Sequence, residues 1–464
     1  MTKYKFLGFY SLLLIISACS GDSNFDAPAD SGKNDVINPE DLDEDGRLAT
    51  FSVDTNGGTI PDEPKINANL EIIVGGQEYY SGKIGIEIRG ASSQSYPKKQ
   101  YGFETWDSEG NDIDVAFFDF PPEEDWILNA PYADKSLMRN KLVYDLSRAM
   151  GRYASRAKFV EFKLNGLDKG TYVLLEKIKK DPSRVDIATL KASDVDGDEV
   201  TGGYILKIDK GIGGGFNYNS SISFDSEYAA PDDLSGEPIR FQYVYPDYDK
   251  INGRQKIYIQ DYMKDFENSL MSTDFKDSET GYRSYIDTDS FIDFFILNEL
   301  GNNVDGFRLS TYMHKPKNEK LVMGPIWDFN FAFGNADYCS GGAHDVWAYK
   351  FNERCGGDGW SVPFWWEKLL QDPYFVSKLK IRWNELRGGI LSSNNLNQQL
   401  DQYYDELKDA QGIGRNFAIW DILDTYVWPN NYIGGSYENE YTYLKTWLSD
   451  RGDWLDNAIN NLEE

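Results

Sequence analysis

The sequence predicts an α+β fold in which strands fill the front half and helices the back half. Three observations carry this. Strand signals alternate with turns from Ala49 to about residue 210. After residue 255 the apolar positions recur at helical spacing. The chain has 464 residues, 41% of them hydrophobic, which is enough for a large core and one or two domains.

Residues 69–74 read as a strand that runs into Gly75 and Gly76. Residues 83–89 alternate strictly between apolar and polar, as a half-buried strand does. Residues 90–97 form a loop of small residues, and 98–104 return as a strand. A helix is expected over 135–150, with Asp134 as its cap and Gly151 as its stop. Its apolar residues Leu137, Met138, Leu142, Val143, Leu146 and Met150 fall on one face. Strands at 157–164 and 171–178 are joined by a turn opening with Asn165-Gly166. A further strand covers 203–209, and 308–315 with 321–323 reads as a hairpin. Helices are expected at 257–271, 288–300, 363–387, 395–410 and 437–462.

Composition narrows the chemistry. The net charge of −29 opposes nucleic-acid binding, since a phosphate backbone would be repelled. A single nucleotide is still allowed, because a local cluster of Lys, Arg and Mg²⁺ overcomes a distant field. Only two histidines occur, His314 and His344, which argues against a Ser-His-Asp triad and a multi-His metal centre. Carboxylates, cations and hydroxyls are left, and these suit phosphoryl transfer or two-carboxylate glycoside hydrolysis. The 31 Tyr and 12 Trp serve packing or offer stacking surfaces for sugars or bases.

The N-terminus carries Lys3 and Lys5, an apolar run over 6–16, and then Ser17-Ala18-Cys19. This is the pattern of an export signal spanning 1–18. The stretch Leu14-Ile-Ile-Ser-Ala-Cys19 resembles a bacterial lipobox, which implies lipidation of Cys19. The expected address is the outer membrane, on its periplasmic face or at the cell surface, held only through that lipid. Residues 19–48 read as an acidic flexible tether. Within it, residues 41–46 imitate a calcium loop, but Ser52 stands where the bidentate acid is needed. Cys339 and Cys355 lie sixteen apart and are expected to pair in an exported protein. They bracket a Gly-rich segment just past Asp328, so the bridge is expected to hold a segment beside the active site.

Asp305 closes an apolar helical run, and Asp328 sits in Gly324-Pro-Ile-Trp-Asp-Phe-Asn330, with the hairpin between them. Taken alone, both aspartates read first as solvated loop residues or a helix cap. In order, these parts resemble the rear half of a protein-kinase active site. Further motifs are Ile88-Arg-Gly-Ala-Ser-Ser93, Lys98-Lys99, Trp126-Ile-Leu-Asn129, Asp134-Lys-Ser-Leu-Met-Arg139, Gly170-Thr-Tyr-Val-Leu-Leu-Glu-Lys-Ile178 and Gly203-Tyr-Ile-Leu-Lys207. With Gly324-Pro-Ile-Trp-Asp-Phe329 the ordered series resembles the spore-coat protein H (CotH) kinase family from residue 49 to the C-terminus.

The resemblance implies an atypical bilobal protein-kinase-like fold, with a strand-rich N-lobe over about 49–210 and a helix-rich C-lobe over about 211–464. It implies ATP and Mg²⁺ as cofactors and an exposed Ser on a partner protein as acceptor. Asp305 then attends the acceptor hydroxyl, and Asp328 with Asn330 holds the metal. Arg89, Ser92, Ser93, Lys98 and Lys99 cover the triphosphate, and the backbone at Glu176 and Lys177 meets adenine. Arg139 either reaches phosphate or pairs with an acid. Ser310 stands where ordinary kinases carry a second metal-binding Asn, and Asn330 replaces the Gly of Asp-Phe-Gly. The alternative is an inactive surface lipoprotein that binds glycans or protein partners; transfer of AMP, or transfer to a sugar hydroxyl, also stays open. Arg451-Gly-Asp453 reads as a chance tripeptide in a helix end.

Overall fold

The computed structural model describes residues 48–463. The expected export signal over 1–18, Cys19 and the expected tether up to residue 47 lie outside the described residues. Leu48, expected in the tether, is buried in the core instead.

Seven strands form the front half: β1 (Thr50–Asp54), β2 (Ile66–Val74), β3 (Gln77–Arg89), β4 (Gln100–Trp106), β5 (Asp125–Asn129), β6 (Ala157–Leu164) and β7 (Leu167–Glu176). They close into a barrel in the order β1-β2-β3-β4-β5-β7-β6. Closure comes from a parallel pairing of β1 with β6, in which Thr50 faces Glu161. Alternate residues fill the barrel, as the period of two requires: Phe51 and Val53, Ile84 and Ile86, Val160 and Phe162 are all buried there. Asn165 and Gly166 both take positive φ, 51° and 76°, which sets the tight β6–β7 hairpin.

Helix α1 (Arg139–Ala149) stands between β5 and β6. It begins four residues later than its periodicity suggests. The Asp134 carboxylate accepts from Ser136 N–H and Arg139 N–H and pairs with the Arg139 guanidinium at 2.5 Å. Leu137, at φ 66°, cannot be helical. Arg139 is therefore the partner of an acid and not a phosphate ligand. Its Nε also donates to the Ala332 carbonyl.

A second sheet contains β8 (Tyr204–Ile208), β9 (Ser223–Asp225), β10 (Arg240–Tyr245), β11 (Thr311–Lys315) and β12 (Val322–Met323), ordered β12-β11-β8-β10-β9. The sequence places the 203–209 strand with the front half. Its hydrogen bonds run instead to β10 and β11, with Ile208 opposite Thr311.

Eight helices complete the described fold: α2 (Gly253–Met271), α3 (Thr288–Gly301), α4 (Phe351–Cys355), α5 (Trp365–Leu369), α6 (Pro373–Arg387), α7 (Ser393–Asp409), α8 (Gly412–Ile419) and α9 (Tyr437–Asn460). Asn252 and Gln255 form a capping box on α2. α3 is buried from Ser290 to Gly301, so its apolar run packs on every side. The expected helix at 363–387 is split, because Asp372 caps a new start with Pro373 in its first turn. Arg451 of the chance tripeptide is buried in α9 and pairs with Glu299 at 3.0 Å. Among the described residues no helix is long and apolar enough to cross a membrane.

One buried acid yields a stability prediction. Glu267 on α2 accepts from Trp365 Nε1 at 2.9 Å and from Ser226 Oγ. Burial pushes its carboxyl up to about 7. A raised acid favours the protonated fold, so its contribution is complete below about pH 4.5 and is lost as pH rises through about 7. Glu267→Gln is expected to remove that loss, recovering up to about 3 kcal/mol at pH 8. Urea titrations of both proteins at pH 4.5 and pH 8 check it; parallel pH profiles would refute it.

Candidate active site

A cavity of about 610 Å³ is lined by residues of the barrel, α1, the second sheet and the segment from Asp305 to Phe331. The sequence brings each wall there for a local reason. Gly90, at φ 100°, turns β3 into a short 3₁₀ segment, Ser92–Ser95, that carries Ser92 and Ser93 to the cavity. α3 ends on Asn302 in the left-handed conformation, and Asp305 follows three residues later. Asp328 itself takes φ 63°, an unusual setting for a side chain with a Cβ. Helix α1 holds it there: Tyr144 Oη accepts from Asp328 N–H at 3.2 Å, and Asn140 Oδ1 accepts from Phe329 N–H at 2.7 Å.

Seven carboxylates line this space; Asp209, Asp305 and Asp328 come from the end of β8 and the segment that follows α3, and Asp62, Glu63, Glu87 and Asp125 come from the barrel side. Burial, and then the charges of Asp305 and Asp209, push Asp328 up to about 7. Asp305 is 14% exposed, and burial raises it too, against the opposing pull of Arg308 and Lys210. One oxygen of Asp305, Oδ1, meets Arg308 and the Tyr338 hydroxyl, each at 3.4 Å. Asn330, which lines the same cavity as Asp328, has a buried Oδ1 with no hydrogen-bond partner among the described residues.

Five cations line the cavity, and three are neutralised. Lys65 pairs with Glu104 at 2.9 Å, Lys177 with Asp125 at 2.9 Å and Lys207 with Asp209 at 2.9 Å. Arg89 and Lys210 meet no carboxylate at ion-pair distance among the described residues. The Arg89 guanidinium lies 5.6 Å from the Trp327 ring centre, and one of its buried nitrogens has no hydrogen-bond partner.

The fold thus brings together Arg89, Ser92, Ser93, Lys177, Asp305, Asp328 and Asn330. It does not bring Lys98, Lys99 or Glu176 to the cavity. Lys98 is fully buried and donates to the Thr171 carbonyl and to Asn416 Oδ1. Lys99 donates to the Gln94 carbonyl, which braces the loop from behind. Glu176 is fully buried against Arg156 at 2.7 Å. Lys98 and Lys99 precede β4 and are held by backbone carbonyls instead, while alternation along β7 turns the Glu176 side chain away from the face on which Lys177 lines the cavity. Asp209, Lys210, Asn140 and Tyr144 escaped the sequence reading. The signal for the first two lay just past Gly203-Tyr-Ile-Leu-Lys207, in Asp209-Lys210 followed by a run of glycines.

A cavity that joins buried carboxylates to unpaired cations, between a barrel and a helical half, is the kind of site that receives an anion together with a metal. The chain belongs to the CotH kinase protein family, whose profile matches residues 86–455. It is similar to the inner spore coat protein H of Bacillus subtilis (strain 168), with 24% identity over 256 residues. That match covers 54% of this chain and 59% of the relative, so it reaches less than two thirds of the relative's length.

Proposed function

We propose that the protein is an atypical kinase that transfers the terminal phosphoryl group of ATP to a Ser or other hydroxyl of a partner protein. In this reading the barrel acts as the N-lobe, and the second sheet with the helices acts as the C-lobe. One observation carries it: Asp305 and Asp328 converge on a single cavity that also holds the unpaired guanidinium of Arg89. Family membership supports the same reaction class.

The donor set fits magnesium. Asp328 is a carboxylate crowded by like charge, and Asn330, lining the same cavity, has a buried oxygen without a partner among the described residues. A bound Mg²⁺ would supply charge neutralisation for the phosphate oxygens. Arg89 contributes fixed positive charge on the same side. Ser92 and Ser93 bring small polar groups close without crowding the phosphates. Asp305 orients the acceptor hydroxyl and takes its proton, and its raised affinity for protons suits that task. The acceptor oxygen bonds to the terminal phosphorus as the bond from that phosphorus to the bridging oxygen breaks. ADP leaves with the electron pair.

Calorimetric titration with Mg-ATP, followed by transfer of label from the terminal phosphate to a Ser-containing protein, tests the proposal. Binding without transfer to any hydroxyl would leave a nucleotide-binding protein, and no binding would remove the kinase reading. We also place the protein on the outer membrane through lipidated Cys19, as the lipobox-like sequence supports. Cys19→Ala should move it from the membrane fraction to the soluble fraction; unchanged partitioning would refute the anchor.

A further inference from the structure

Resting on the kinase reading above, we propose that Lys210, presented by the glycine turn that follows it, binds the transferring terminal phosphoryl group of the nucleotide and is a catalytic residue. Four observations lead to it. First, Lys210 is a cavity cation without a carboxylate at ion-pair distance among the described residues, while Lys65, Lys177 and Lys207 are each neutralised. The hydrogen-bond acceptor at its ammonium is a neutral one, Ser92 Oγ, at 3.0 Å. A cation so placed has capacity for an anion.

Second, the backbone that carries it is built and held. The Gln242 side-chain amide donates to the Asp209 carbonyl at 2.7 Å and to the Lys210 carbonyl at 2.9 Å, and the Tyr218 hydroxyl donates to the Asp209 carbonyl at 2.7 Å. The Lys210 ammonium also lies 5.5 Å from the Trp360 ring centre, which fixes its direction.

Third, Lys210 and its turn span the cavity from the second sheet to the barrel. The Ser92 contact is the polar half of that crossing. The apolar half is Gly214, at φ 79°, where a Cβ would fall 2.9 Å from the Ala91 Cβ. Only a glycine lets the turn come this near. Gly211 and Gly214 both line the cavity.

Fourth, Lys210 lines the same cavity as Asp305 and Asp328. A cation that shares this space with the base-side and the metal-side carboxylates is placed to meet the phosphoryl group that passes between them. Arg89, beside Trp327, serves the nucleotide at the wall next to Asp328.

The test compares Lys210→Met and Lys210→Arg with the wild-type full chain, titrated with Mg-ATP and, separately, Mg-ADP. ADP lacks the group that Lys210 is assigned to hold. Lys210→Met should weaken Mg-ATP about 10- to 100-fold, the value of one charge-assisted hydrogen bond, and Mg-ADP by less than about 3-fold. Transfer should fall about 100-fold or more, since charge on the phosphoryl oxygens is then unmatched during the reaction. Lys210→Arg should restore part of both. Equal losses for ATP and ADP, or an unchanged preference for ATP, overturn the assignment while the kinase reading stands. A wild-type protein that binds neither nucleotide overturns both.

Discussion

Asp305→Asn is expected to cut phosphoryl transfer about 10²- to 10⁴-fold while Mg-ATP affinity stays within about threefold, and Asp328→Asn to abolish magnesium-dependent nucleotide binding. The two effects separate because the residues do different work. In the proposed reaction Asp305 acts on the acceptor proton, so its loss would remove general-base assistance and little ground-state binding. In the same reading Asp328 holds the charge that a metal would relieve, so its loss would take away the reason for the metal to stay. Asparagine is the replacement of choice at 328. Asp328 sits at φ 63°, a conformation Asn tolerates and Ala does not, so the variant changes charge without straining the backbone. The contacts from Tyr144 and Asn140 run to backbone N–H groups at 328 and 329 and survive the change. Thermal melts without ligand confirm that both variants fold. Calorimetry with and without magnesium, and label transfer, then read the two effects. Transfer at wild-type rate in both variants would end the assignment of these acids.

Much of the fold could be read from local pattern, and the parts that could not are those set by distant contacts. The strand at 157–164 matches β6 to the residue, because its alternation and the Asn165-Gly166 turn are both local signals. Barrel closure left no such trace: β1 and β6 pair across more than a hundred residues, and a parallel pairing has no hairpin to announce it. The second sheet hid for a similar reason, since β8 reads as one more strand in a series and only its partners reveal where it belongs. At the site, Asp305 and Asp328 stood out because each closes or opens a recognisable element. Lys98 was misplaced because charge in a loop suggests solvent or ligand; it instead satisfies the Thr171 carbonyl and Asn416. Glu176 was expected to meet adenine through its backbone, but it does not line the cavity, and its side chain pairs with Arg156. Tyr338 and Arg308 were invisible as site residues, since their link to Asp305 exists only in three dimensions.

That link makes the disulfide the second large effect. Cys339 and Cys355 are bonded, with Cα atoms 5.8 Å apart. Tyr338, whose hydroxyl donates to Asp305 Oδ1, immediately precedes the first cysteine. Arg308 is 2% exposed and joins the same Asp305 oxygen to Asp358 at 2.7 Å and to the Trp360 carbonyl at 2.9 Å, both just past the second cysteine. Inside the loop, the Asn302 amide donates to the Ser340 and Ala343 carbonyls at 2.9 Å, and Arg354 Nε donates to the Cys339 carbonyl at 3.1 Å. Both groups that fix Asp305 Oδ1 are thus held at the two ends of one covalently closed loop. A Cys339→Ser/Cys355→Ser double variant is expected to lose about 3 kcal/mol of stability, the value for a loop of this size. At a temperature where it stays folded, its kcat should fall about tenfold or more with Mg-ATP affinity unchanged, because Arg89 and Asp328 lie outside the loop. Urea unfolding measures the first effect, and kinetics beside calorimetry measure the second. A variant that loses stability but keeps its kcat would show that the loop carries only fold stability. A matched fall in kcat and nucleotide affinity would show that the whole cavity, and not Asp305 alone, depends on the bridge.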